Sequence, residues 1–279
     1  MDKYFQVKVL PQTPEPQRVI YAALHQDYSE HFVWDELTTA KDSFLLADSD
    51  LLMAFSNGNE SPFSVWDGPS EAKCGQVAVE RLLKGGRGHW GPLEHPQIVF
   101  NCGWFPHSTM QQIRTHRHAS FDVQSFRYSG KRFLGAYDQI GMLDLDSKDP
   151  DIIQELFYIR PAGDYTDRQG KKYTVTTEQR EEDIEYCWEA IRRYRNRVVR
   201  DGYSEEHARS MIPFDVRQHW VVSCNMRSLI HLLSIRGKTD AQMECQQWAE
   251  LVLPHFKAWA PEIYGYFEQH QWKKGRLAP

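Results

Sequence analysis

The order in which apolar periodicities follow one another limits the fold of this chain more than any single residue does. Strand-like segments are few: YFQVKVL from Tyr4, HPQIVFNCGWFP from His95 to Pro106, and HWVVSCN from His219. Longer segments with a helical period separate them. PEPQRVIYAALHQDYS sets Val19, Ala22 and Ala23 at helical spacing, and AKCGQVAVERLLK stops at Gly85 and Gly86. Thr176-Thr-Glu-Gln179 is a capping box that opens a long helix with Ile184, Trp188, Ile191 and Val198 on one side and Gly202 past its end. Ser204 heads a helix through His207 and Arg209 to Pro213; RSLIHLLSIR forms another; AQMECQQWAELVLPHFKAWAPEIYGYFEQ is helical with breaks near Pro254 and Pro261. Ser56–Ser70 reads as a loop, and Gly135–Thr174 as an irregular excursion with one short helix, DPDIIQELF. Regular strand–helix alternation would give a parallel sheet. This order predicts instead an α+β fold, with helices packed on a mixed or antiparallel sheet. No Pro/Ser/Gly linker interrupts residues 1–279, so one domain is expected.

Composition excludes several classes. With 41% hydrophobic and 13% aromatic residues the chain buries a substantial core. A net charge of -5 opposes a general nucleic-acid binder, which needs a broad basic face. No apolar run reaches the roughly 18 residues that a membrane span needs, and MDKYFQVKVLPQTP lacks the pattern of a secretory signal, so a cytoplasmic protein without membrane or nucleic-acid partners is expected. Cys74, Cys102, Cys187, Cys224 and Cys245 form no C-x-x-C pair and read as buried free thiols.

Against that acidic background, IRTHRHASFDVQSFRYSG, Ile113 to Gly130, collects three arginines, two histidines and three serines. Ser108-Thr-Met-Gln111 has the form of a capping box, and a helix continuing from it to Arg117 would set Arg114 and Arg117 on one side, Gln112 and His116 on another. If SFDVQSFRYS is extended, Ser125 and Arg127 point one way and Phe126 and Tyr128 the other, placing a hydroxyl beside a guanidinium as an oxyanion requires. A solvated basic helix end accounts for any one of these arginines. The interleaved hydroxyls, amides and imidazoles favour a site for the group. Neither G-x-G-x-x-G nor G-x-S-x-G occurs, so side chains must do much of any nucleotide binding. A second cluster comprises Arg209, Asn225, Arg227, His231 and Arg236, with Arg227 and His231 four apart on a helix and Arg236 beyond its last turn. A third is GHWGPLEH, Gly88 to His95, a turn before a strand. Its His89, Glu94 and His95 lack metal-ligand spacing, and no metal is expected.

Together these segments resemble the flavin-dependent thymidylate synthases, whose mark is Arg-His-Arg, seven residues, then Ser. Here Thr115-His116-Arg117 is followed by His118–Gln124 and Ser125, then Arg127-Tyr128-Ser129. GHWGPLEH, Phe157-Tyr158-Ile159, and CNMRSLIHLLSIR followed by AQ and QQ resemble further family segments, in order, over about 88–248. Thr115 stands where the family has arginine, Asp122 where it has asparagine and Val123 where it has glutamate.

The resemblance implies a homotetramer that methylates dUMP to dTMP with methylenetetrahydrofolate, FAD and NADPH. It implies that Gln112, Ser125, Phe126, Arg127, Arg209 and Arg236 hold dUMP, and that Gly91, Thr115, His116, Arg117, Asn225, Arg227 and His231 hold FAD. His89 and Tyr128 fall on the folate side. Arg236 is the expected catalytic group, stabilising an ionised pyrimidine N3 with a charge it does not need to give up. Ser125 has no paired base and is expected to position phosphate or ring. Two other readings stand beside this one: a related flavin-dependent enzyme adding hydroxymethyl at pyrimidine C5, and a non-catalytic module stacking Phe121, Phe126 and Tyr128 on single-stranded bases.

Overall fold

The computed structural model describes residues 1–38, 66–86, 88–143, 149–167 and 169–274. The expected loop therefore lies outside the described residues over 56–65. Among the described residues the strands are β1 (Gln6–Gln12), β2 (Gln97–Pro106), β3 (Ala119–Val123), β4 (Gly163–Thr166), β5 (Lys172–Val175) and β6 (Arg217–Asn225). One sheet has the order β1-β2-β6-β3, and β4 pairs with β5 in a separate hairpin. The main sheet is antiparallel where its ends are tied: His107 N donates to Val216 O at one end of β2–β6 and Met226 N to Pro96 O at the other. HWVVSCN is the expected strand, and along β6 burial alternates, with Gln218, Trp220, Val222 and Cys224 buried and the residues between them half-buried. The α+β expectation is met.

The chain is organised as two compact units. The first comprises Met1–Lys8, Asn101–Val222 and Thr239–Trp248; the second comprises Val9–Phe100, Ser223–Lys238 and Ala249–Pro279. Their boundaries fall inside β1, β2, β6 and the helix Met243–Trp259, and between Lys238 and Thr239.

In the first unit, the helix Thr177–Arg195 opens on the expected capping box. Thr176 Oγ accepts from Gln179 N at 3.2 Å, and Gln179 Oε1 accepts from Thr176 N at 3.0 Å. Its buried Ile184, Trp188, Ile191 and Tyr194 join Phe133 and Ile140 of the helix Lys131–Leu143 and Ile153 and Leu156 of the helix Pro150–Leu156 in one core. Gly135–Thr174 is thus not irregular. It contains most of one helix, the whole of a second capped by Asp149, and the β4–β5 hairpin. Gly and polar residues suggested a loop there, but burial of one apolar stripe per helix outweighed local propensity. Arg217 is only 1% exposed, and each of its three guanidinium nitrogens donates: to Gln154 O at 2.6 Å, Trp104 O at 2.9 Å and Asp2 Oδ2 at 2.8 Å, with the Tyr4, Phe5 and Tyr158 rings around it.

In the second unit, the helix Pro16–Gln26 has no side-chain cap of its own, and Glu71 supplies one from a distance by accepting from Gln17 N and Arg18 N, both at 2.8 Å. Gly75 allows the close approach, since a Cβ there would lie 2.3 Å from Gln17 Oε1. The helix Met243–Trp259, which enters this unit at Ala249, runs through Pro254, which was expected to break it; the break comes only at Ala260, before Pro261 opens the next helix. Pro254 is exposed while Val252, Phe256 and Trp259 are buried, so packing outweighs the roughly 3 kcal/mol that an internal proline costs. All five cysteines are free and buried, as expected, and burial pushes the Cys74, Cys102 and Cys187 thiols up to about 12.

Candidate active site

The helix meant to present Arg114 and Arg117 together is shorter than its sequence suggests. It spans His107–Ile113, its N-cap is Pro106, and Ser108 makes no capping bond. It ends because Thr115 Oγ1 donates to Gln112 O at 2.8 Å and His116 N to Ile113 O, closing the backbone into a turn. Arg114, Thr115 and Arg117 are exposed on that turn and the segment after it. The helix side is amide-rich: Gln112 Nε2 donates to Gln242 Oε1, Gln242 Nε2 donates to Ser108 Oγ at 3.4 Å, and Cys245 Sγ lies 3.6 Å from Gln112 Oε1.

Nor is the serine–arginine stretch extended. β3 stops at Val123, and Ser125–Tyr128 forms a turn in which Ser125 Oγ accepts from Arg127 N at 3.3 Å and Ser129 Oγ donates to Ser125 O at 3.0 Å. A hydroxyl bonding its own backbone outweighed the alternating pattern. Ser125, Arg127 and Tyr128 remain exposed and Phe126 half-buried. The turn is tied to a distant segment, since Glu205 Oε2 accepts from Gly130 N at 3.0 Å and Glu206 pairs with Arg127 at 3.4 Å. The Ser204 helix is a single turn, Glu205–Ala208, without a side-chain cap, and passes at once into the 3-10 turn Arg209–Met211. Exposed Arg209 therefore directly follows the segment that holds Arg127. A half-exposed ion pair such as Arg127–Glu206 is worth at most about 1 kcal/mol, so freeing Arg127 from Glu206 would cost little.

In the second unit, the helix Met226–Arg236 is capped by Asn225, whose Oδ1 accepts from Ser228 N at 2.8 Å. Asn225 thus has a structural task that its expected FAD role did not include. Arg227 and His231 are both exposed, one turn apart. Arg236 lies in the helix's last turn, not beyond it, because Gly237 is the C-cap. The GHWGPLEH segment is the predicted turn before a strand: Gly88 has φ 72°, Gly91–Glu94 is a 3-10 turn, and His89 pairs with Asp27 at 2.7 Å. Glu94 pairs with Arg227, whose guanidinium lies 5.6 Å over the Trp90 ring. Among the described residues the shielded Trp90 indole N–H has no acceptor, and nothing lies within 4 Å of a Cβ built on Gly91. This corner therefore gathers Gly91, Asn225, Arg227 and His231 with an orphaned donor and open space. Thr115, His116 and Arg117 stand in the first unit.

The sequence profile of the family described as thymidylate synthase complementing protein, Thy1, matches residues 8–262. The chain belongs to this family. A flavin-dependent thymidylate synthase of Haloarcula marismortui is 30% identical to it, covering 98% of this chain and 99% of its own. Among solved structures, thymidylate synthase X of Helicobacter pylori, crystallised with FAD and dUMP, matches at TM-score 0.62 and 16% identity over 96% of this chain and all of its own. A UMP/dUMP methylase of Streptomyces cacaoi matches at TM-score 0.60 and 17% identity, covering 96% and 95% of the two chains. At those identities the structures speak for the shared Thy1 fold. The groups that sequence reasoning missed in this Thy1 chain are those that hold the exposed residues in place: His107, Arg132, Glu205, Glu206 and Gln218. Only the four-residue spacing of His107 and Gln111 left a trace in the sequence; the rest depend on strand register and long-range packing.

Proposed function

We propose that the chain carries out the reductive methylation of dUMP to dTMP, with methylenetetrahydrofolate as carbon donor and NADPH as the reductant of bound FAD. The observation that supports this reading is the pairing of Arg127, on the hydroxyl turn, with Glu206, three residues before exposed Arg209, in a Thy1-family chain. In this reading Arg127, Arg209 and Ser125 take the phosphate, while Phe126 and Gln112 position the nucleotide. Arg236, in unit two, is assigned to the pyrimidine N3 and its flanking oxygens. Its fixed positive charge stabilises the N3-ionised pyrimidine, whose ring electron density lets C5 attack the methylene carbon.

The corner with an unpaired Trp90 N–H, open Gly91 and exposed Arg227 and His231 suits a diphosphate rich in acceptors, which supports an FAD site there with Asn225. Thr115, His116 and Arg117 complete the assigned flavin set, with His89 and Tyr128 toward the folate. FAD bound there would supply the hydride that completes the methyl group. Residues 1–279 act as one domain within a cytoplasmic homotetramer in this reading; among the described residues no helix is long and apolar enough to cross a membrane.

The test is direct. Purified protein is expected to be yellow and to release tritium from C5-labelled dUMP only with NADPH and methylenetetrahydrofolate present, giving a methylated product by mass spectrometry. A colourless protein that does not take up FAD, or a hydroxymethylated product, refutes the proposal.

A further inference from the structure

The hydrogen bonds that fix the Ser125–Arg127 turn lead back to two side chains with no place in the nucleotide set. Gln218, on β6 and only 2% exposed, donates from Nε2 to Gln124 O at 2.6 Å. A carbonyl only accepts, so this bond fixes the amide's orientation and leaves Oε1 facing His107 Nδ1 at 2.6 Å. His107 therefore carries its hydrogen on Nδ1. Its Nε2 is then an acceptor, met by Gln111 Nε2 at 2.8 Å. One line of bonds, Gln111–His107–Gln218–Gln124, thus joins the helix that carries Gln112 to the residue immediately before Ser125.

The same histidine also touches the turn through its ring. Its centroid is 6.1 Å from that of Phe126, and Phe214, exposed, meets it edge-on at 5.1 Å. Phe126 is contacted as well by the Arg132 guanidinium at 5.3 Å, and Arg132 Nη2 donates to Arg217 O on β6 at 2.8 Å. An apolar side chain would fill the place of Gln218 beside Trp220 and Val222 without burying an amide. Only an amide offers Gln124 a donor and His107 an acceptor at once.

We infer that His107 and Gln218 are positioning residues of the nucleotide site, holding the Ser125–Arg127 turn in register with the Gln112 helix and so setting affinity for dUMP. This rests on the function proposed above. Neither residue is assigned a contact with ligand.

The experiment uses the full chain loaded with FAD, with dUMP titrated calorimetrically and hydrogen exchange followed on residues 124–130. Gln218→Leu and His107→Leu are expected to weaken dUMP binding about tenfold, as loss of a partner for a buried polar group does, and to speed exchange in 124–130, with FAD content kept. His107→Asn, which returns an N–H near the Nδ1 position, is expected to recover most of both. Half-buried His107 carries the test if Gln218→Leu does not fold. Unchanged exchange in 124–130 in the leucine variants overturns the inference. So does parallel loss of FAD and dUMP with faster exchange throughout, which marks a merely structural role. Wild-type protein that binds no dUMP removes the functional reading instead, and the exchange result then decides the positioning by itself.

Discussion

At the scale of single residues, identity and environment carried different information. Arg236 is assigned to the pyrimidine because a guanidinium stabilises a developing anion without titrating, and removing one such stabiliser typically slows turnover by about 10²–10³. Arg236→Ala is therefore expected to lose turnover on that scale in steady-state assays while still binding FAD; full activity would free the residue of its role. His219 shows what sequence does not report. Burial, and then the charge of Arg132, holds its pKa below the ordinary value. The folded ring stays neutral where the unfolded chain's ring takes a proton. Its share of stability is whole above the unfolded value of about 6.5 and is lost as pH falls through that value toward the folded one. The thermal midpoint is expected to drop between about pH 7.5 and 5.5, and to drop less in His219→Gln; equal drops in the two proteins would rule out this histidine as the source. Arg132 itself is lowered to about 10 by burial and stays charged at neutral pH.

Helix termini show which local signals can be trusted at the scale of elements. Thr176 caps as read because both halves of its box are present and exposed. Thr176→Ala is expected to cost about 1 kcal/mol in urea unfolding without changing activity. Ser108 looked equally good and does not cap, because Pro106 already starts the helix where β2 ends. The Ser125 turn reverses a strand pattern for a similar reason, its hydroxyls and Glu205 offering the backbone better partners than a further ladder. Gly130 is fixed by this arrangement, since a Cβ there would lie 1.7 Å from the Tyr194 hydroxyl, a group fully buried in the first-unit core. Gly130→Ala must shift the turn, and dUMP affinity measured by calorimetry is expected to fall by about tenfold or more. Affinity equal to wild type would show that the turn does not set the site.

For the whole molecule, β1, β2 and β6 each contribute residues to both compact units, so the four-stranded sheet is common to them, while the β4–β5 hairpin lies within the first. One cooperative transition is expected when urea unfolding is followed by tryptophan fluorescence and far-UV dichroism together, and non-coincident curves would show the units unfolding separately. The proposed tetramer predicts about four chain masses by light scattering. The amino-acid order by itself determined the α+β class, the long capped helix, the free buried thiols and the motif residues that mark the Thy1 family. Each of these follows from local periodicity, capping chemistry or residue type. Only the tertiary structure decided where the motif-bearing helix stops, that Ser125 sits on a turn, that Glu206 faces Arg127, and which amide holds Gln124. The first two turn on local hydroxyl and backbone bonds that compete with helix and strand, a competition that residue pattern alone does not rank; the last two depend on partners distant along the chain, where a donor takes whichever acceptor the packed elements bring within reach.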